Sequence, residues 1–319
     1  MFQIVHKLAS KAIYIFLPIL GLLRLRSFII SSLKKIRLNV NRKNNFTNII
    51  KKLSLERKIL LLDVGAEKHN FNSQSQIGIS KKYESFFDLV IVEPNPNSAA
   101  ALKKKYTVIE KGLWSSNCNK TLYVTGKNPG ASSMYKPWKE GFDLFNPYGN
   151  FTHGKYFSNL DITEELNVEC TTIKESLTNL NKKELDYLKL IVQGAEYDIL
   201  KGIGNYLPLF INVQVLIYPI YKDVPHWTEM LDYLYKLDYM LCSWNHNDTH
   251  TTQTPIISNM CFVPNFLTDK GRQLILSKEK EFIFLMLVTG QIRLLQLISN
   301  KLKFALDNEI KKIRDKFFD

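Results

Sequence analysis

No acidic residue precedes Glu56 in this chain of 319 residues, while eleven lysines and arginines fall between the start and Lys52. The formal net charge of +13 therefore sits at one end: taking those eleven from 43 basic residues leaves 32 against 30 acidic ones. A nucleic-acid-binding domain carries its surplus on the folded face that meets phosphate, so a near-neutral body argues against that class. A long apolar run is missing too. Ala12 to Leu23 is apolar between Lys11 and Arg24, but Pro18 interrupts it, and a spanning helix needs about 20 apolar residues. No A-x-A site follows, which speaks against a secretory signal. Two readings of residues 1–50 remain: a basic, apolar segment lying on an anionic membrane surface, or a segment packed on its own domain or on a partner.

Cysteine is scarce. Cys118, Cys170, Cys242 and Cys261 form no C-x-x-C pair, which excludes a disulfide framework and a zinc site and reads as buried thiols in a reducing, cytoplasmic compartment. Spacing alone assembles no Ser-His-Asp triad, His-Asp pair or paired carboxylates. "HNDTH" offers His246, Asp248 and His250, but two histidines at that spacing in a polar loop are more often solvated than bound to metal, so no metal site is expected.

What is present is an ordinary globular composition, 45% hydrophobic and 23% charged, enough for one large or two modest domains. An Asn-rich joint, "RKNNFTN", sets a boundary near residue 50. From there strand-like and helix-like runs alternate. "KILLLDV" and "FDLVIV" read as buried strands, "NSAAALKKKY" as a helix, "TVIEKGLW", "TLYVT" and "NVECTTI" as further strands. "NPGASSMYKP" is a loop by composition, and residues 138–165 read as a long loop or lid of the kind that holds substrate. "LDYLKLIVQG" ends a strand at a turn, and "AEYDILKG" begins the next helix. Residues 51–268 form this domain. Residues 269–319 form an amphipathic helical extension that packs on the domain or on a second copy. The alternation implies a mostly parallel sheet with helices on both faces, whose ligand sits beyond the carboxyl ends of the strands.

The strand ends carry the chemistry. Asp63 and Gly65 follow the first strand: glycine lets backbone approach a ligand, and D-x-G alone is common. Glu93 follows the second strand in "VEPNP", where an acid can accept both hydroxyls of a ribose. Their separation suits a βαβ unit and points to a nucleoside-containing cofactor.

Taken in order, these pieces resemble one family. "LLLDVGAE", "VEPNP", "GASSMYKP", "YLKLIVQGAEYDILKG", "VQVLIYPIY" and "NMCFVP" are similar to the successive motifs of FkbM-type methyltransferases, over about residues 60–264. The resemblance implies an α/β, Rossmann-like class I fold with a mostly parallel seven-stranded sheet. It implies methyl transfer from S-adenosylmethionine to a hydroxyl, often of a sugar, glycan or natural product. Carried over position by position, Asp63, Gly65 and Glu67 border the methionine end of the cofactor. Glu93 binds the ribose, with Pro94 and Asn95 shaping the adenosine pocket. Lys189, Gln193 and Glu196 line the mouth where the acceptor enters, and Glu196 or His153 is the base if one is used. Glu196 reads equally as an acid favoured by a helix N-terminus.

The sequence departs from the family pattern at Glu67, His69, Ile191, Gln214 and Asn259. A side chain at 69 crowds the expected methionine site, and Ile191 stands where the pattern has an aspartate. Two functions follow: an active methyltransferase with an altered acceptor site, or a degenerate module that binds a glycan, a membrane or a partner enzyme.

Overall fold

The computed structural model describes residues 47–66, 79–126, 129–141, 160–246, 256–311 and 313. Residues 1–46 of the N-terminal arm, Glu67, His69, His153, Asp248 and His250 lie outside them. The chain divides into two units, Met1–Ser54 and Leu55–Asp319. Of the first, the described part is helix α1 (Thr47–Leu53).

The second unit is built on a sheet of seven strands. They are β1 (Ile59–Val64), β2 (Phe87–Val92), β3 (Thr107–Ile109), β7 (Tyr187–Leu190), β8 (Phe210–Leu216), β9 (Tyr239–His246) and β10 (Ile257–Pro264). Their spatial order is β3-β2-β1-β7-β8-β10-β9. The first five pair parallel, and β10 runs antiparallel between β8 and β9. β1 and β8 are buried at every position, which is why they read as unbroken apolar runs rather than alternating ones. On one face Leu60, Leu62, Val90, Leu188, Leu190 and Val213 join a single core cluster. Ile59, Leu61 and Ile91, of opposite parity, are buried as well, so both faces are covered.

The sequence reading differs from the structure at β4 (Gly112–Leu113), β5 (Cys118–Thr125) and β6 (Ile162–Thr171). These strands form a separate three-stranded sheet, ordered β4-β6-β5. Local periodicity finds strands but not their partners, and β5 and β6 pair with each other over eight positions. Leu113, Leu122, Val124 and Val168 then pack into the main core.

Helices join the strands: α2 (Pro96–Leu102), α3 (Ile173–Asn179), α4 (Glu196–Lys201) and α5 (Trp227–Lys236). The starts of α2, α3 and α5 have a local cause. Asn95 accepts from the Asn97 N–H ahead of Pro96, Thr172 accepts from the Glu175 N–H, and His226 with Glu229 makes a capping box for α5. Among the described residues the C-terminal region has four helices: α6 (Asp269–Ser277), α7 (Glu279–Val288), α8 (Ile292–Leu302) and α9 (Asp307–Lys311). α7 is not amphipathic. Phe282 through Val288 are all buried, and Phe284 packs its ring 5.2 Å from Phe86 and 5.7 Å from Phe87. A helix buried on all sides is apolar on all sides.

Two ion pairs fasten the central strands at opposite ends. Arg57 grips Asp186 with two N–H groups at 2.5 and 2.8 Å, and Asp186 also accepts from the Leu60 N–H at 2.9 Å. At the carboxyl ends, the fully buried Lys189 lies 2.7 Å from Asp63, its register partner.

Candidate functional site

The chain leaves β1 toward β2 and β3 on one side, and β7 and β8 lie on the other. Strand order therefore reverses between β1 and β7, where ligands of open α/β sheets bind. A cleft opens at that point. Its empty space is about 740 Å³, including the part open to solvent. Val64, Gly65, Glu93, Pro94, Asn95 and Gln193 are among the residues that line it, so five residues singled out from the sequence meet on one surface.

Gly65 can be nothing else. Its φ is +77°, and a β-carbon there would stand 2.0 Å from the Ile191 carbonyl oxygen. The two strand ends thus approach through bare backbone. Glu93 is buried at the end of β2. Its N–H donates to the Ile109 carbonyl at 3.0 Å, which seats the backbone against β3, and one carboxylate oxygen accepts from the Asn95 N–H at 2.9 Å. Asn95 spends its own side chain on capping α2.

The opposite wall comes from the Gly- and Ser-containing loop after β5. Pro129, Gly130, Ser132, Ser133 and Met134 line the cleft. The loop is tied down at several points. Tyr123 and Ser133 exchange backbone hydrogen bonds at 2.8 and 3.2 Å. The Thr125 N–H donates to Ser132 Oγ at 3.1 Å, and the Tyr221 hydroxyl donates to the Ala131 carbonyl at 2.8 Å. No site role was assigned to these residues from the sequence, although the loop's composition and its place in the ordered motifs marked the segment. Gly112 and Leu113, also in the wall, had no local signal.

Three residues expected at the site lie apart from the cleft's lining. Asp63 and Lys189 do not line the cleft. They neutralise each other behind it, and the Lys189 ammonium donates to the Gly65 carbonyl at 3.2 Å. Charges taken out of water persist only when paired in this way. Glu196 is buried too. Its two carboxylate oxygens accept from the Val192 N–H at 2.9 Å and the Gly194 N–H at 2.8 Å. Burial pushes its carboxyl up to about 7, against the pull of the backbone donors. Glu196 therefore holds the turn after β7.

Gln193 heads that turn in a left-handed conformation, φ +59°, followed by Gly194 at +111°. A non-glycine residue stays there only when its neighbours hold it. Here Ser133 Oγ donates to the Gln193 carbonyl at 2.8 Å, beside the Glu196 clamp. Of the remaining departures, Ile191 lines the cleft. Gln214 and Asn259 are register partners across β8 and β10, away from its lining. Among the described residues lining the cleft, Glu93 is the one ionisable group. His246 closes β9.

Residues 33–241 match the family described as the methyltransferase FkbM domain. No curated protein matches the chain.

Proposed function

This chain belongs to the FkbM methyltransferase family, and on that premise we propose that it is an S-adenosylmethionine-dependent O-methyltransferase acting on a hydroxyl of a sugar, glycan or related acceptor. Counted within the main sheet alone, the strands follow the order 3-2-1-4-5-7-6. This is the basis for reading the fold as a Rossmann-like class I methyltransferase.

The observation that carries the reading is the placement of Glu93. Its carboxylate lies in the cleft wall one strand after Gly65, at the strand-order reversal, where an acid can accept the hydroxyls of a ribose. Apolar neighbours Val92, Leu113, Leu122 and Ile199 suit a flat base. Gly65 brings main chain close to the ligand without a side chain in the way. The cofactor brings a methyl group on a sulfonium that is its own leaving group. The protein's share is then to bind, align an acceptor oxygen and keep water out. Gln193, whose backbone carbonyl is held by Ser133, is a polar residue of the cleft wall in the turn after β7.

A second reading, a module that binds without turnover, is favoured by one observation. With Glu196 and Lys189 engaged elsewhere, no described residue of the cleft other than Glu93 can take a proton. Calorimetry with S-adenosylmethionine tests the first half of the proposal. Micromolar binding is expected, weakened roughly 100-fold in Glu93→Ala by loss of hydrogen bonds to a charged group. No heat at millimolar ligand would overturn it. Binding without methyl transfer to any hydroxyl acceptor favours the second reading.

We assign the basic arm before Glu56 to an anionic membrane surface. Among the described residues, no helix is long and apolar enough to cross a membrane. A chain shortened to begin at Asn45 is expected to stop sedimenting with anionic vesicles. Continued sedimentation removes the arm from that role.

A further inference from the structure

The four cysteines are far apart in sequence, yet two of them meet. Cys118 opens β5 and Cys170 lies near the end of β6, and they are direct partners in the antiparallel register. Residues directly opposite in such a pair have α-carbons about 4.5–5.5 Å apart and project on the same side. Both spacings fall inside the window that a disulfide spans without backbone movement, about 4.4–6.8 Å. Cys118 is partly exposed and Cys170 is buried.

The same row continues toward the cleft. Gly112 is the parallel partner of Cys170 on its other side, and a β-carbon at Gly112 would stand 2.7 Å from Cys170 Sγ. Cys170 Sγ also lies 3.8 Å from Met134 Sδ. Gly112 and Met134 both line the cleft. The Cys170 sulfur therefore packs directly behind the cleft wall.

We propose that Cys118 and Cys170 are a thiol pair that closes reversibly to a disulfide with a low-molecular-weight disulfide such as oxidised glutathione, and that closure alters the cofactor cleft. The Cys118 thiolate attacks one glutathione sulfur, the glutathione S–S bond breaks, and one glutathione thiolate leaves. Cys170 then loses its proton and attacks the Cys118 sulfur of the mixed disulfide, releasing the second glutathione thiolate. Two protein thiols are oxidised and one glutathione disulfide is reduced to two thiols, which take up the protons. The order follows from access. Cys118 is within reach of solvent, whereas burial pushes the Cys170 thiol up to about 12, so Cys170 acts after the pair is joined. Closure draws the Cys170 sulfur toward Cys118 and away from Met134 and Gly112.

Cys261 interacts with Cys242 but does not face it in the register. Its register partner is Ser243, and Cys242 falls at the register shift of that ladder, where the pairing is disrupted.

The effect on the cleft rests on the methyl-donor reading above, whereas the disulfide does not. The full chain is incubated with oxidised glutathione, digested without reduction and mapped by mass spectrometry. A cross-linked peptide joining Cys118 to Cys170 is expected, reversed by dithiothreitol and absent in Cys118→Ser. The oxidised wild type is expected to bind S-adenosylmethionine roughly tenfold more weakly than the reduced protein, with Cys118→Ser unaffected by oxidant. Glutathione retained on Cys118 alone, or no modification, overturns the pair. A cross-link with unchanged affinity overturns its effect on the cleft. Reduced protein that fails to bind S-adenosylmethionine defeats the methyl-donor reading, and the cross-link still decides the pair.

Discussion

Glu93 after β2 and Glu196 after β7 stand at comparable corners of one sheet, each leading into a helix, and the fold uses them in opposite ways. At the first corner Asn95 caps α2 with its own side chain. Glu93 accepts from the Asn95 N–H and stays in the cleft wall. At the second corner the residue before α4 is Ala195, which offers no capping oxygen. The donors of the Val192–Gly194 turn therefore draw in the carboxylate of Glu196. An acid stays at the cleft where a neighbour meets the backbone's need for acceptors, and is drawn into the turn where none does.

The contrast is open to attack, beginning where the two corners touch. Gly65→Ala places a β-carbon 2.0 Å from the Ile191 carbonyl at a φ of +77°. The expected loss is more than about 4 kcal/mol, or roughly 10 °C in Tm for a unit of this size. A melting curve within a degree or two of wild type would show that the strand ends are not pinned.

Glu196 comes next, and its effect depends on pH. Its carboxyl is raised by burial from 4.5 to about 7, so between those values the folded state binds a proton that the unfolded state has released. Stability from this group is present below pH 4.5 and is lost as pH rises through 7, a change of about 3 kcal/mol. Thermal melts of wild type should fall over this window relative to Glu196→Gln, whose profile should lack that component. Equal slopes in both proteins would place Glu196 in solvent instead of in the turn. Glu93→Ala, in contrast, is expected to cost ligand affinity with less than about 1 kcal/mol of stability.

The smallest effect is at the loop facing these corners. Tyr221→Phe removes the hydroxyl that donates to the Ala131 carbonyl at 2.8 Å and should cost about 1 kcal/mol. Denaturant melts with an unchanged midpoint would show that the loop is held by its other contacts.

Much of the framework was legible because it is written locally. β1 and β8 are continuous apolar runs, glycine stands at position 65, and α3 and α5 open on residues with capping side chains. The ordered motifs placed Gly65, Glu93, Pro94, Asn95 and Gln193 together, and the cleft gathers them. What was not legible depends on partners distant in sequence. Nothing near Asp63 or Lys189 announces that they will neutralise each other across β1 and β7. Nothing near Glu196 shows that a turn two residues earlier will fold back onto it.

The sequence by itself determined the strands, most of the helices, the family and the position of the acid in the cleft wall, since each follows from side-chain period, turn chemistry or motif order. Tertiary structure alone decided which charged groups reach the cleft. A buried charge must find a partner, and whether that partner is a ligand, a lysine or a backbone N–H depends on which strands pair and how closely their ends approach. The same holds for the cysteines, scattered along the chain until the pairing of β5 with β6 set two of them face to face.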